Sequence, residues 1–412
     1  MSAPPAGTDR VVVDLPNVVG TTDPYVLGAP GPWTRPAGPL TARRAFAAAH
    51  VVPLTTADNT PGRPAELDWD ATLGFRHMLW SYGLGVAEVM DTAQRGMGLD
   101  WDAAAYLIRR SAAEARSVGG LLACGAGTDH LTPERVAGLV AGDRETGLHA
   151  VTDAYREQLG TVAAAGATPV LMASRALAAV AGGAEDYLAV YSALLGEVTE
   201  PVILHWLGEV FDPALAGYWG ARDPHTAAAT VLELLRAHEG KVDGIKVSLL
   251  DAGFEVWLRE QLPAGVRLYS GDDFNYPDLV VGDDRGHSDA LLGVFAAIAP
   301  AASTALQALE SRDAAGRARA LEILRSTEAL GRHMFEEPTP HYKVGIAFLS
   351  WLNGHQPGFQ MVGGLQSARS ARHLTTLFRL ADGAGLLLDP HRAAHRMRAF
   401  LEVAGITPEE SR

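Results

Sequence analysis

Between residues 45 and 298, eight short apolar runs alternate with alanine-rich amphipathic stretches, and this alternation constrains the fold more than any other feature. The runs are 45–52, 85–90, 120–125, 169–173, 201–204, 242–247, 266–270 and 290–298. Short apolar runs bounded by turn residues read as buried strands, and the stretches between them carry apolar residues at three- and four-residue spacing, as in 101–117 and 184–195. Strand and helix in strict alternation predict an α/β chain with a parallel sheet. Eight such units in about 265 residues match the size of a (β/α)8 barrel, the TIM-barrel architecture. A doubly wound open sheet is the competitor, but no Gly-x-Gly-x-x-Gly follows the first run. The predicted organisation is an N-terminal arm over 1–40, a barrel over 41–310 and a C-terminal helical extension over 311–412. The arm is rich in Pro and Gly, and the extension is punctuated by Pro338, Pro340, Gly354, Pro357 and Gly358.

Composition narrows the partners. The formal charge of −14 disfavours nucleic acid and anionic membranes, which select basic surfaces. The start of the chain lacks a basic segment followed by an apolar run, and Cys124 has no second cysteine to pair with. These features predict a cytoplasmic protein acting on a small molecule. The uncharged stretch 290–309 is long enough to raise a membrane span, but Gly293 and Pro300 break it, so a strand entering a helix is expected. No Gly-x-x-x-x-Gly-Lys-Ser/Thr loop is present, which removes a nucleotide-hydrolysis reading.

Lysine is scarce. Of 34 basic residues only Lys241, Lys246 and Lys343 are lysines, and Lys246 lies inside an apolar run. Arginine stays protonated, whereas a lysine desolvated by burial becomes the free amine that attacks a carbonyl. In a period-2 strand Lys246 shares a face with Gly244 and Ser248. A structural ion pair with Asp272 or Asp273 is the competing reading. Because a parallel barrel carries its chemistry at the C-terminal strand ends, the other candidates are the residues at those ends. They are His50, Glu88, Asp91, Thr92, Ser174, Arg175, His205, Asp272 and Asp273. His205 has the near-neutral pKa that proton transfer needs, and Arg175 can anchor a carboxylate or phosphate. Cys124, Met90, Met97, Trp101 and Trp206 read as packing. His391 and His395 share a helix face, but Arg392 stands where a zinc protease needs its glutamate.

These segments resemble the dihydrodipicolinate synthase / N-acetylneuraminate lyase superfamily of Schiff-base aldolases, most closely a divergent synthase-like branch. Gly244-Ile245-Lys246 resembles the family's Gly-Ile-Lys, and Ser270-Gly271-Asp272-Asp273 its Ser-Gly-Asp-Asp. The lead-in 201–204 and Pro338-Thr339-Pro340 with Lys343 are also similar, so the resemblance spans about residues 45 to 405. It implies a homo-oligomeric class I lyase in which Lys246 forms an imine, with no cofactor. Three departures stand out. The family's Gly-Thr-Thr-Gly-Glu loop is here Asp91-Thr92-Ala93-Gln94-Arg95, its strand-five tyrosine is His205, and its tyrosine after strand four is Ser174-Arg175. Acidic groups at the strand ends suit a neutral, hydroxylated, sugar-derived carbonyl compound better than pyruvate. In this reading Lys246 and His205 are catalytic, while Glu88, Asp91, Thr92, Arg175, Asp272 and Asp273 bind substrate. The alternatives are a barrel isomerase or aldolase holding a divalent metal through Glu88, Asp91, His205 and Asp272, and a non-catalytic ligand-binding barrel.

Overall fold

The structure is a computed structural model that describes residues 10–17, 21–90 and 94–407. Two antiparallel strands, β1 (Val12–Pro16) and β2 (Thr22–Val26), form the N-terminal arm. Eight parallel strands follow: β3 (Ala45–Ala48), β4 (Gly85–Glu88), β5 (Leu122–Ala126), β6 (Thr168–Leu171), β7 (Val202–Leu207), β8 (Val242–Ser248), β9 (Arg267–Ser270) and β10 (Asp289–Leu292). They close in sequence order, β10 pairing with both β9 and β3. All eight predicted strands exist. The eighth is shorter than 290–298, because the chain turns at Gly293 into a 3-10 turn and then a helix.

Helices α1 (Trp69–Ser81), α2 (Trp101–Val118), α3 (Pro133–Ala141), α4 (Arg144–Ala165), α5 (Arg175–Val180), α6 (Ala184–Glu197), α7 (Pro224–Ala237), α8 (Ala252–Gln261), α9 (Tyr276–Val281) and α10 (Ala299–Leu309) alternate with the barrel strands. The extension supplies α11 (Ala314–Met334), α12 (Lys343–Leu352), α13 (Ala371–Gly383) and α14 (Pro390–Val403). Aspartate punctuates this pattern. Asp68, Asp100, Asp143, Asp223, Asp251, Asp313 and Asp389 each cap a helix by accepting a first-turn backbone N–H. Each such cap is worth about 1 kcal/mol. These seven of the 48 acidic residues are therefore spent on starting helices rather than on a binding surface. Among the described residues no helix is long and apolar enough to cross a membrane.

The core has two layers. The larger fills the space between strands and helices, and a smaller one inside the barrel contains Phe46, Ala48, Ala87, Ala123, Val170, Ile203, Tyr269 and Leu291. Period-2 alternation then fixes which residues above them face the axis. The extension does not stand apart from the barrel. Phe335 and Tyr342 stack at 4.1 Å where a Cβ on Gly293 would sit, which brings α12 over the C-terminal mouth. α13 in turn holds the arm, with the Tyr25 hydroxyl donating to Asp382 Oδ2 at 2.7 Å.

Candidate active site

Ile203 and Tyr269 face the barrel axis, and His205 and Lys246 lie one step further toward the C-terminal mouth. His205 on β7 pairs in register with Lys246 on β8, which pairs with Tyr269 on β9. Two glycines make room for this layer. A Cβ on Gly244 would lie 2.7 Å from the Tyr269 ring, so that ring crosses the barrel floor over the glycine. A Cβ on Gly271 would lie 2.9 Å from Lys246 Cε and 2.1 Å from Ser248 Oγ. The glycines of the Gly-Ile-Lys and Gly-Asp-Asp segments are thus spatial requirements of the lysine and its floor. Lys246 is 8% exposed, and His205 is fully buried with Nε2 3.1 Å from Ser248 Oγ.

The two adjacent aspartates have different tasks. Asp272 is spent on the turn into α9: Oδ1 accepts the backbone N–H groups of Phe274 and Asn275, both at 2.9 Å, and Oδ2 accepts Asn275 Nδ2 at 2.7 Å. Asp273 instead feels the charges of Lys246 and Lys343, while the backbone N–H of Val294 donates to its Oδ1 at 2.7 Å. Burial pushes the Asp273 carboxyl up to about 7, with the neighbouring Asp272 charge adding to the rise and the lysines opposing it. It can therefore give and take protons near neutrality.

Lys343, read from the sequence only as part of a helix-opening segment, is the residue that sequence reasoning undervalued. It opens α12 and reaches across the barrel mouth, where its Nζ donates to the carbonyl of Ala48 at the end of β3. Burial pulls it down to about 7, against the charge of Asp273. The rarity of lysine was the signal available for it. His50 follows β3 and is held neutral, its pKa lowered to about 3 by burial, with Nε2 2.7 Å from Gln356 Oε1.

Glu88 does not join this set. Ala87 faces the axis, so Glu88 faces the helices, where Arg76 binds it through Nε (2.8 Å) and Nη2 (2.7 Å) and Ser111 Oγ donates at 2.6 Å. It is a fully buried ion pair between β4, α1 and α2, not a substrate ligand. Arg175 opens α5 and pairs with Asp212, its side chain 62% exposed. Asp91 and Thr92 lie outside the described residues. Beside them, Arg95 binds Asp129 through Nε (2.9 Å) and Nη2 (2.7 Å) and the Gly125 carbonyl through Nη1 (2.8 Å), so this end of the loop is an arginine clamp. The alternative metal set is not assembled, since Glu88 faces away and both oxygens of Asp272 are taken. His391 and His395 are exposed on α14.

A small gap lies beside Lys343. This gap of about 10 Å³, lined by Gln94, Met97, His341, Lys343, Met361 and their neighbours, has room for roughly one water. Clefts of about 640 and 720 Å³ open at the opposite, N-terminal rim, around Arg44, Arg267 and Asp289 and around Thr168, Pro169 and Asp243.

The chain is thus a (β/α)8 barrel with a buried lysine and protonatable groups at the strand C-termini, closed by a helical extension. It belongs to the family described as protein of unknown function DUF993, whose profile matches residues 13–406. No curated protein matches it in sequence. In three dimensions it is similar to a dihydrodipicolinate synthase from Thermotoga maritima, with a TM-score of 0.60 and 15% identity over 84% of this chain and 100% of the other. The synthase from Aquifex aeolicus gives 0.56 and 12% over 89% and 100%, and that from Bacteroides thetaiotaomicron 0.58 and 13% over 82% and 97%. The resemblance read from the short lysine and Gly-Asp-Asp segments therefore extends to the fold of the whole barrel.

Proposed function

We propose that the protein is a Schiff-base-forming lyase of the aldolase or dehydratase type, acting on a small, oxygen-rich carbonyl compound, sugar-derived or a 2-keto acid. The observation that carries this reading is the position of Lys246: on the axial face, at the C-terminal end of its strand, with Asp273 beside it titrating near neutrality. The neutral amine attacks the carbonyl carbon, and the C–N bond forms as the carbonyl oxygen takes a proton. Loss of that oxygen as water leaves an iminium. For C–C cleavage the iminium takes up the bond's electron pair as the β-hydroxyl loses its proton, giving an enamine that is protonated and hydrolysed back to the free lysine; for dehydration the iminium first loses an α-proton, and the enamine then expels the protonated β-hydroxyl as water, leaving an unsaturated iminium that is hydrolysed. Asp273 and His205 are the proton carriers for these steps. Lys343 supplies a positive charge at the mouth when protonated, suited to a substrate carboxylate or hydroxyl.

Borohydride trapping tests this directly. With a panel of 2-keto acids, keto sugars and aldoses, one compound is expected to add its reduced mass to the peptide containing Lys246. Lys241, whose Nζ donates to the Val198 carbonyl at 2.8 Å, serves as the internal control. Lys246→Arg keeps the charge and removes the nucleophile, and is expected to lower turnover on the order of a thousandfold or more. Near-normal turnover in that variant, or an adduct confined to Lys343, would overturn the mechanism.

A further inference from the structure

We propose that His333, Glu336 and His373 form a site for one divalent transition-metal ion of the Zn²⁺ class, bracing α11 against α13. This does not rest on the lyase reading. His333 lies in the last turn of α11, Glu336 three residues on lies just beyond the helix end, and His373 comes from the start of α13. Their donor atoms lie within 4.8 Å of one another. Ligand atoms held at roughly 2.0–2.1 Å by tetrahedral zinc stand about 3.3 Å apart, so side-chain rotation that closes up to about 1.5 Å brings the set together.

The hydrogen-bond pattern demands a cation. His333 Nε2 lies 2.9 Å from the backbone carbonyl of His373, which can only accept, so Nε2 carries the hydrogen. A neutral His333 then aims its Nδ1 lone pair at Glu336 Oε2, 3.2 Å away. Two acceptors facing each other at that distance need a positive ion between them, a proton or a metal. A ring N–H given to a backbone carbonyl, leaving the other nitrogen for the ion, is the arrangement by which metal-binding histidines are oriented.

The second histidine comes from the facing helix. The His333 and His373 rings stack at 4.1 Å with their planes 21° apart, and the guanidinium of Arg369 binds the adjoining carbonyl of Glu336 at 2.7 Å. His373 is nearly buried, with Nδ1 2.9 Å from Glu336 Oε1 and Nε2 buried without a hydrogen-bond partner. Two imidazoles with one carboxylate favour Zn²⁺ over Mg²⁺ or Ca²⁺, which take oxygen ligands. Glu336 is half-exposed, which leaves a solvent-facing position for water as fourth ligand.

The test uses the full chain, stripped with a chelator and dialysed, then titrated calorimetrically with Zn²⁺ and separately with Co²⁺ as a spectroscopic probe. About one ion per chain is expected, with the intense visible bands of four-coordinate Co²⁺. His333→Ala and His373→Ala should each weaken binding by about tenfold or more, while His395→Asn, on exposed α14, should leave it unchanged. If a histidine variant fails to fold, Glu336→Gln on its half-exposed side chain gives the same readout. No ion bound by the wild type, or binding that survives the His333→Ala/His373→Ala double change, would overturn the site.

Discussion

The two rims of the barrel are opposites. At the N-terminal rim the charges are paired and the clefts are wide: Arg44 meets Asp243 at 3.0 Å, Arg267 meets Asp289 at 3.2 Å, and the Tyr269 hydroxyl donates to Asp243 at 2.5 Å beside openings of about 640 and 720 Å³. At the C-terminal rim the gap beside Lys343 is only about 10 Å³ among the described residues, yet Asp273 is pushed up and Lys343 pulled down to about 7. Hollow space marks where side chains leave solvent room. Displaced protonation marks where burial has made acid–base chemistry available, and at the second rim it brings a carboxyl and an amine together near neutrality.

If that contrast is right, a buried pair that is fully matched should matter for stability alone. Glu88→Gln strands the Arg76 guanidinium and is expected to cost about 3 kcal/mol, read as a lower denaturation midpoint, while the trapping yield at Lys246 per folded molecule stays unchanged. A loss of trapping larger than the loss of folded protein would place Glu88 in the site after all.

The C-terminal rim should instead write itself into the pH dependence of stability. The carboxyl of Asp273 is raised, so between about pH 4 and 7 the folded chain holds a proton that the unfolded chain has released, and stability falls as pH rises. The amine of Lys343 is lowered, so between about pH 7 and 10.5 the unfolded chain holds the extra proton and stability rises with pH. Each contribution is worth up to a few kcal/mol, since a tenfold change in proton affinity is about 1.4 kcal/mol. Unfolding measured across this range is expected to show that Lys343→Met weakens the alkaline rise and that Asp273→Asn reduces the acidic fall, the remainder belonging to buried Glu255, which burial pushes up to about 8. A Lys343→Met profile parallel to wild type would refute the assignment.

The smallest effect belongs to the paired rim. Arg44→Ala breaks a part-exposed bridge and should cost under about 1 kcal/mol, shrink further in salt and leave adduct formation alone. A strong effect on turnover would erase the distinction between the rims.

Much of this was legible in the chain itself. The strand–helix alternation yields the barrel, because period 2 against period 3.6 is a local property that each segment carries alone. The same period places Lys246 on one face with Gly244 and Ser248, and the parallel barrel assigns it to the reactive end. Tertiary packing decided the rest. Glu88 sits in an apolar run with no polar alternation to show its face, and its partners Arg76 and Ser111 come from two helices. Asp272 and Asp273 are indistinguishable by type; a turn consumed one, and two lysines from distant segments surround the other. Lys343 meets Ala48 across 295 residues, and His333 meets His373 across 40. Contacts of that span arise only when the helical extension folds back over the mouth. Local sequence therefore determined which elements form and which way the lysine points, and long-range packing determined which charges are satisfied and which are left to react.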